Sequence, residues 1–319
     1  MAAKTHPFAK SFLRPSLVLT AILAALPLAR AADPFDQWTW RGPEPKDSFK
    51  GNNYESAAFA KDLLVVVGNG FNVLARKEGD PAWRTYDSGT QRLLYGVATA
   101  NNTFFAVGAR GTIQSAKTAE TWTARNCPVS VPLFAVTYTD SVFVAVGDGG
   151  KILTSRVGSQ WLEQSSRVIE PLYGVTYRDE TFLVVGANGT ILLSGDGTYW
   201  LPQASGTKRT LHGVTVNPGK PKLFVAVGEA GTILTSPDGG RWTAQNSGTT
   251  KTLNGVEYGQ GTFIAVGAEG TILTSTDGTT WKPRASGVKH FLKAVTFAKN
   301  TCWIVGWNGV ILESAPFGK

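Results

Sequence analysis

Short runs of alternating apolar and polar residues fill most of the chain. In residues 253–284 these runs are LNGVEY, TFIAVG, TILTS and TWKPR, and turns containing Gly and Asp separate them. Runs of this length that are rich in Val, Ile, Thr and aromatic residues are typical of β-strands. No helical period appears beyond the first residues. The pattern therefore predicts an all-β protein with four short strands in each such stretch.

The same stretch recurs seven times along the chain. Each copy has the dipeptide Val-Gly with an Ile or Val five residues later, and six copies end in Trp. Four strands in a repeat of about 40 residues are typical of a propeller blade. We predict a seven-bladed β-propeller of four-stranded blades, with tight Val-Gly-x-x-Gly hairpins in which glycine supplies the positive φ. The Val-Gly glycines are 39 to 42 residues apart, at Gly68, Gly108, Gly147, Gly186, Gly228, Gly267 and Gly306.

The seventh repeat lacks a closing tryptophan of its own. In the other copies Trp lies 14 or 15 residues after the glycine, so the seventh would fall near position 320. The stretch QWTWRG supplies a substitute, since residues 38–41 and 122–125 share the pattern Trp-Thr-x-Arg. We expect this N-terminal strand to pair with the last blade and close the ring, which removes an exposed edge.

The first 31 residues have the features of a secretory signal peptide. Lys4, Lys10 and Arg14 precede an apolar run at 17–28, and Ala-Arg-Ala follows at 29–31. The run is shorter than the roughly 20 residues of a membrane span. We expect cleavage after residue 31, a single propeller domain over 32–319, a secreted or periplasmic location, and no membrane span in the mature chain.

Charge, cysteine and histidine content argue against nucleic-acid binding, a disulfide bond and a metal site. Without residues 1–31, which hold four basic residues and no acidic one, the formal charge falls from +8 to +4. This mild excess argues against nucleic acid as a partner. Cys127 and Cys302 fall on different blades, so we expect two free, largely buried thiols. Only His212 and His290 lie outside the leader, and we expect neither a metal nor another cofactor.

Three of the turns between the third and fourth strands carry a common motif. Its sequence is Ser-x-Asp-Gly-x-x-Trp, and it resembles the Asp-box of bacterial neuraminidase repeats, shortened by one residue. The whole unit, VGxxGTILTSxDGxxW, is similar to the propellers of the photosystem II assembly-factor (Ycf48-like) family. Such propellers include sialidases, glycan hydrolases and non-catalytic assembly factors, so the resemblance implies a fold and leaves function open. The motif residues are Asp196, Trp200, Asp238, Trp242, Asp277 and Trp281.

We expect these motif residues to be structural. The aspartate can accept backbone N–H bonds across a tight turn, and the tryptophan can pack between neighbouring sheets. The turns should lie on the bottom face, opposite the top face where each inner strand begins and the Val-Gly-x-x-Gly hairpins return.

One set of side chains should ring the central channel at the top face. Three consecutive members are aromatic, and they offer a platform for a sugar ring or a peptide side chain; the alternative is that they only pack between blades. Trp307 is a further binding candidate, because other blades carry smaller residues at its place in the hairpin; the alternative is that it only packs. The seven predicted ring residues are Glu55, Tyr95, Phe134, Tyr173, His212, Asn254 and Lys293.

Arginines form a second candidate site. We expect Arg84, Arg92, Arg110 and Arg125 on top-face loops around blades 1 to 3. The cluster is similar to the basic patch with which the assembly-factor family engages a protein partner, and arginine pairs in a planar, bidentate way with carboxylates. The alternative is ordinary solvated surface.

An enzyme is less well supported. The Arg-Ile-Pro signature of sialidases is absent from the sequence, and no two acidic residues can be paired as glycosidase carboxylates. We expect a monomeric, exported, non-catalytic propeller that acts as a scaffold for an envelope or secreted protein through its top-face loops. The alternative is a carbohydrate-active propeller, either a sialidase-like glycosidase or a glycan-binding lectin.

Overall fold

The computed structural model describes residues 1–2, 33–43, 51–69, 72–139, 141–219 and 221–318. These residues form seven four-stranded antiparallel sheets, the blades of a propeller, and the only helical elements among them are three-residue 3-10 turns. The predicted fold is therefore confirmed. The predicted signal peptide, apart from Met1 and Ala2, lies outside the described residues. In the described part of the chain, no helix has the length and hydropathy needed to span a membrane.

The strands of each blade follow one another from the channel outwards. In blade order they are Tyr54–Ala60, Leu63–Gly68, Asn72–Lys77 and Arg84–Asp87; Leu94–Ala100, Thr103–Gly108, Thr112–Ala116 and Thr123–Ala124; Leu133–Tyr138, Phe143–Gly147, Ile152–Ser155 and Leu162–Gln164; Leu172–Arg178, Thr181–Gly186, Ile191–Ser194 and Leu201–Gln203; Leu211–Val216, Phe224–Gly228, Ile233–Ser236 and Thr243–Gln245; Leu253–Gly259, Thr262–Gly267, Ile272–Ser275 and Lys282–Arg284; Leu292–Ala298, Thr301–Gly306, Ile311–Ser314 and Trp38–Trp40.

The two glycines of the Val-Gly-x-x-Gly hairpin have different roles. Gly270 has a φ of +70°, as predicted for a tight turn. Gly267 is extended, and a Cβ added there would lie 2.1 Å from the carbonyl oxygen of Thr252. The first glycine is therefore required by a close backbone approach, and not by the left-handed conformation that the sequence suggested for such glycines.

The hydrophobic core consists of seven clusters, one between each pair of neighbouring blades. Between blades 3 and 4, for example, Val144, Leu172, Phe182 and Trp200 are buried together. Blades 7 and 1 share a cluster of the same kind, in which Trp303 and Val305 pack with residues of blade 1. Since every blade has an apolar neighbour on both faces, the ring is closed.

Ring closure uses the N-terminal strand, as predicted. Trp38–Trp40 runs antiparallel to Ile311–Ser314, with Trp38 opposite Ser314. A 3-10 turn, Pro34–Asp36, precedes the strand, and the carboxylates of Asp33 and Asp36 both bind Arg284 of blade 6. Burial raises the pKa of Asp33, but the Phe35 N–H and Arg284 outweigh it and hold that pKa below its usual value. The closing segment therefore touches two blades.

The bottom-face turns are organised by hydrogen bonds within each turn. In blade 4 the Asp196 carboxylate accepts from the backbone N–H groups of Thr198 and Tyr199 at 2.8 and 3.0 Å. The indole Nε1 of Trp200 donates to the carbonyl of Gly197 at 3.0 Å, and its ring is fully buried between blades. Blades 5 and 6 have the same contacts at Asp238, Trp242, Asp277 and Trp281.

The two cysteines are both free thiols, as predicted. Cys302 is buried and Cys127 is half-buried. Burial raises the pKa of the Cys302 thiol well above its ordinary value, and the nearby Glu257 carboxyl raises it further. This thiol is therefore protonated and unreactive at neutral pH.

Candidate functional site at the channel mouth

The inner strands of the seven blades surround a cavity of about 550 Å³ along the propeller axis. Its top end, the channel mouth, is bordered by one side chain from each blade, and we call these seven side chains the inner ring. Their position matches the register predicted from the repeat. The inner ring consists of Glu55, Tyr95, Phe134, Tyr173, His212, Asn254 and Lys293.

Each inner-ring residue occupies a β-bulge. In blade 2, Leu94 pairs with Gly108 and Gly96 with Val107, so Tyr95 is the extra residue between two paired positions. The same irregularity occurs at the equivalent place in the other six blades. A bulge releases a residue from the strand ladder and re-aims its side chain. Here the bulges turn one side chain from each of the seven blades towards the same opening.

Four neighbouring members of the inner ring form an aromatic arc. Ring centroids lie 5.3 Å apart for Tyr95 and Phe134, 5.1 Å for Phe134 and Tyr173, and 5.4 Å for Tyr173 and His212. All four side chains are half-buried. The rings support one another in tilted and edge-on contacts while keeping surface open to the cavity.

The opposite side of the mouth is a polar arc built around Glu55. This carboxylate is 10% exposed, lies 3.2 Å from the Lys293 ammonium, and accepts a 2.9 Å hydrogen bond from the Trp307 indole. Trp307 also packs on Phe291 at a centroid distance of 4.9 Å, and Phe291 is itself 44% exposed. Trp307 is therefore held in place by the mouth and is part of it.

Burial and neighbouring charges change the titration of the aromatic arc. Burial raises the pKa of Tyr95, and Glu55 adds to the effect. Burial also raises the pKa of Tyr173, with further contributions from Asp148 and Glu229. Burial and Lys293 lower the pKa of His212 despite the opposing effect of Glu229. The arc is therefore uncharged at neutral pH and lies within reach of three carboxylates.

Deeper in the channel, the structure shows a residue that the sequence analysis missed. Burial raises the pKa of Glu257 to about 7, although a backbone N–H, Thr215 and Arg178 lower it. The side chain is surrounded by protein but keeps part of its surface open to the cavity. Aligning the repeats would have revealed it, because the other blades carry only Ala or Thr at this place.

The four predicted arginines do not form one cluster. Arg84 begins the outer strand of blade 1 at its bottom end and lies 3.6 Å from Asp80 in the bottom turn, so its predicted top-face position is wrong. Arg125 lies along the outer side of blade 2, where its Nε donates to Ser115 at 2.8 Å. Gln164, Gln245 and Arg284 make equivalent bonds in other blades.

Only Arg92 and Arg110 lie together on the top face. The Arg92 guanidinium donates to the backbone carbonyl of Arg110 at 3.2 Å, and both side chains are exposed. They belong to the connection and hairpin of blade 2, beside the aromatic arc, but neither lines the cavity. The candidate basic site is therefore this pair.

No metal-binding constellation accompanies the mouth. In the ranges that the structure describes, no three His, Cys, Asp or Glu side chains are grouped so that they could hold a metal ion. The cavity contains two carboxylates, Glu55 at the mouth and Glu257 three positions deeper than Asn254. At about 3.3 Å per residue, that places Glu257 roughly 10 Å further down the channel.

Comparisons with known proteins concern the fold. No family model matches the chain, and no curated protein matches it. The structure of Ycf48 from Cyanidioschyzon merolae is similar with a TM-score of 0.69 and 16% identity, over 87% of this chain and 98% of that one. A structure of Ycf48 bound to D1 peptide is similar with a TM-score of 0.72 and 15% identity, over 91% of this chain and 97% of that one.

An enzyme has the same architecture. Virginiamycin B lyase from Staphylococcus aureus, in a selenomethionine-substituted crystal, is similar with a TM-score of 0.75 and 10% identity, over 88% of this chain and 99% of that one. At such identities the likeness shows a seven-bladed propeller and no more. The same fold occurs in a protein with a bound peptide and in a lyase, so the function of this chain has to be argued from the residues of the channel mouth.

Proposed function

We propose that this chain is an exported, non-catalytic propeller that binds a segment of an envelope or secreted protein across its top face. The observation that carries the proposal is the channel mouth: seven bulges at equivalent positions display seven side chains that include a continuous aromatic arc. Rigid aromatic surface beside exposed arginine is the composition of binding hot spots. The Ycf48 structure with a bound peptide supports a protein segment as the ligand.

The non-catalytic part of the proposal has its own support. Hydrolysis of a glycoside by an acid pair requires two carboxyl groups roughly 5–9.5 Å apart. Glu55 is already bound by Lys293 and Trp307, so it is not free to act as the partner of Glu257. This arrangement favours binding over hydrolysis. We further propose that the chain is a monomer and a relative of the Ycf48-like propellers with Asp-box turns.

The proposal is tested by recovering and then measuring the partner. Immobilised wild type, Phe134→Ala, Arg92→Glu/Arg110→Glu and Arg84→Glu proteins are incubated with an envelope extract of the source organism. Proteins recovered by the wild type are identified by mass spectrometry, purified, and titrated against all four. Arg84→Glu is a matched control, because it reverses a charge at the bottom end of blade 1.

We expect the partner to bind wild type and Arg84→Glu equally. Phe134→Ala and the double reversal should weaken binding by roughly tenfold or more, the loss typical of a hot-spot residue. Equal affinity for all four proteins would remove the top face from the proposal. The leader is tested separately, by determining the N-terminal residue of the protein recovered outside the cytoplasm.

A glycan is the second candidate ligand, because the arc of Tyr95, Phe134 and Tyr173 offers stacked ring faces. A glycan array with wild type and Trp307→Ala addresses it. Salt distinguishes the two ligands, since an arginine-led protein contact weakens as ionic strength rises and stacking on sugar does not. Absence of any glycan signal from the wild type would eliminate this candidate.

A further inference from the structure

A second ring of side chains surrounds the channel mouth. Its members directly follow the Val-Gly glycine, and we call them the outer ring. The hairpins of blades 2 to 6 each contact the inner strand of the next blade, and in blade 7 the Trp307 indole bonds to Glu55 of blade 1. The outer ring consists of Asn69, Ala109, Asp148, Ala187, Glu229, Ala268 and Trp307.

The outer ring places negative charge beside the aromatic arc. Asp148 lies in the hairpin before Tyr173 and Glu229 lies in the hairpin of His212's own blade, while the small residue Ala187 occupies the place between them. Both carboxylates act on Tyr173 strongly enough to contribute to its raised pKa, after burial. The rim near Tyr173 therefore has one carboxylate in the adjoining hairpin and a second one two hairpins further round, with the small Ala187 between them.

Within the described residues, neither basic side chain of the inner ring, Lys293 or His212, has an unpaired positive charge at neutral pH. Lys293 is paired with Glu55 across the polar arc, and His212 is neutral at pH 7 because burial and Lys293 lower its pKa. Neither Arg92 nor Arg110 lines the cavity. Among the described residues, no ion pair involves Asp148 or Glu229, and one oxygen of the Glu229 carboxylate accepts a 3.0 Å hydrogen bond from the Thr210 N–H. In a chain with a formal charge of +8, this acidic patch is a local exception.

We propose that the channel mouth receives an arginine side chain of the protein partner, stacked on the Phe134–Tyr173 rings and bound by the Asp148 carboxylate, with the Glu229 carboxylate adding attraction from further round the rim. A guanidinium fits both features, because it is planar, stacks on aromatic faces and carries five N–H donors for carboxylates. The proposal rests on the proposed protein-binding function and adds the chemistry of the residue that enters the mouth. It involves no covalent step.

The test uses small probes, so that it does not depend on the partner. N-acetyl-arginine amide and its neutral isostere N-acetyl-citrulline amide are titrated into the full propeller by ligand-observed NMR. The variants are Asp148→Asn/Glu229→Gln and Tyr173→Leu, which keeps bulk but removes the ring. Asp179→Asn/Glu180→Gln is the matched control, because it neutralises two exposed carboxylates in the bottom hairpin of blade 4.

We expect the arginine probe to bind wild type and the control equally, and the citrulline probe to bind roughly tenfold more weakly. Both mouth variants should weaken arginine binding by a similar factor. Equal binding of the two probes, no arginine binding up to its solubility limit, or an unchanged affinity in both mouth variants would overturn the proposal. The proposed protein binding is contradicted by a different result: the purified partner would bind Phe134→Ala and Arg92→Glu/Arg110→Glu with the same affinity as wild type.

Discussion

The bottom turns and the top bulges of this propeller are both repeated, but in different ways. The turns of blades 4 to 6 repeat in geometry and in residues, with the same serine, aspartate, glycine and tryptophan at each site. The bulges repeat in geometry alone, and their bulged positions carry seven side chains of six residue types. A residue that recurs with its geometry holds the fold, whereas a position whose residue varies is free to serve binding.

The largest test of this contrast compares two tryptophans. Trp200→Ala removes a fully buried ring between blades 3 and 4, and we expect it to lower the free energy of unfolding by about 3–5 kcal/mol. Trp307→Ala removes a half-buried ring and one hydrogen bond at the mouth, and should cost no more than about 1.5 kcal/mol. Urea denaturation measures both. Equal losses would show that the mouth is as much a part of the core as the bottom turns.

A second test compares two glycines. In Gly267→Ala the new Cβ would lie 2.1 Å from the Thr252 carbonyl oxygen, so the hairpin must shift, and we expect a loss of roughly 1–3 kcal/mol. Gly195→Ala is the control, since its new Cβ would meet nothing closer than the Glu180 carbonyl at 3.7 Å. Thermal denaturation of the two variants measures the difference. A Gly267→Ala protein with the same melting temperature as the Gly195→Ala control would mean that the recurring glycine is not needed for packing.

Trp200 and Gly267 recur in other blades and stabilise the fold. Glu257 differs from its counterparts in the other blades, and we expect it to lower stability. Its pKa is about 7 when folded and 4.5 ordinarily, so between these values the folded chain binds more protons than the unfolded chain. The free energy of unfolding therefore falls as pH rises through this window. Glu257→Gln should be more stable than wild type at pH 8 by roughly 1–3 kcal/mol.

The pH dependence supplies the control for Glu257. The stability difference should shrink as pH is lowered and vanish near pH 4, where the carboxyl is protonated in both states. Urea titrations at several pH values from 4 to 8 measure it. Parallel curves for wild type and Glu257→Gln would show that this carboxyl titrates normally in the channel.

The smallest effect expected concerns two aspartates at opposite faces. Hydrogen bonds from the Thr198 side chain and from the backbone N–H groups of Tyr199 and Thr198 hold the pKa of Asp196 well below its usual range. Asp196→Ala should cost about 1 kcal/mol at pH 7, and this loss should fade in acid as the wild-type carboxylate becomes protonated. Asp148→Ala should leave the unfolding free energy unchanged. If chemical denaturation gave the same loss of unfolding free energy for Asp196→Ala and Asp148→Ala, the contrast between structural bottom turns and a binding top face would be contradicted.

The sequence predicted the ring because its signals recur in every blade. Seven Val-Gly steps, and a tryptophan pattern completed by Trp38, determine blade number and closure, and both follow from the requirement that every sheet edge and face be covered. The bulges were not predicted, since one extra residue in a short strand leaves no mark on its apolar alternation. Counting back from the hairpin glycine nevertheless identified the residues that they display.

The arginines show where counting was insufficient. Arg84 directly follows Trp83, whose equivalents close the bottom turns, so its sequence position already indicated the bottom end. Arg125 shared a loop assignment with Arg92, but its side chain turns back to a hydroxyl on the third strand. Side-chain direction depends on such local partners, and a single repeat does not encode them.

The borrowed strand of blade 7 also imposes an order on biosynthesis. Residues 38–40 are synthesised long before residues 311–314, with which they form their only strand pairing among the described residues. Until then the nascent chain carries an unpaired edge at each end of a growing stack of blades. A translation product that stops before residue 311 lacks this pairing, so we expect synthesis of residues 311–314 to be the step that protects these edges from aggregation and proteolysis.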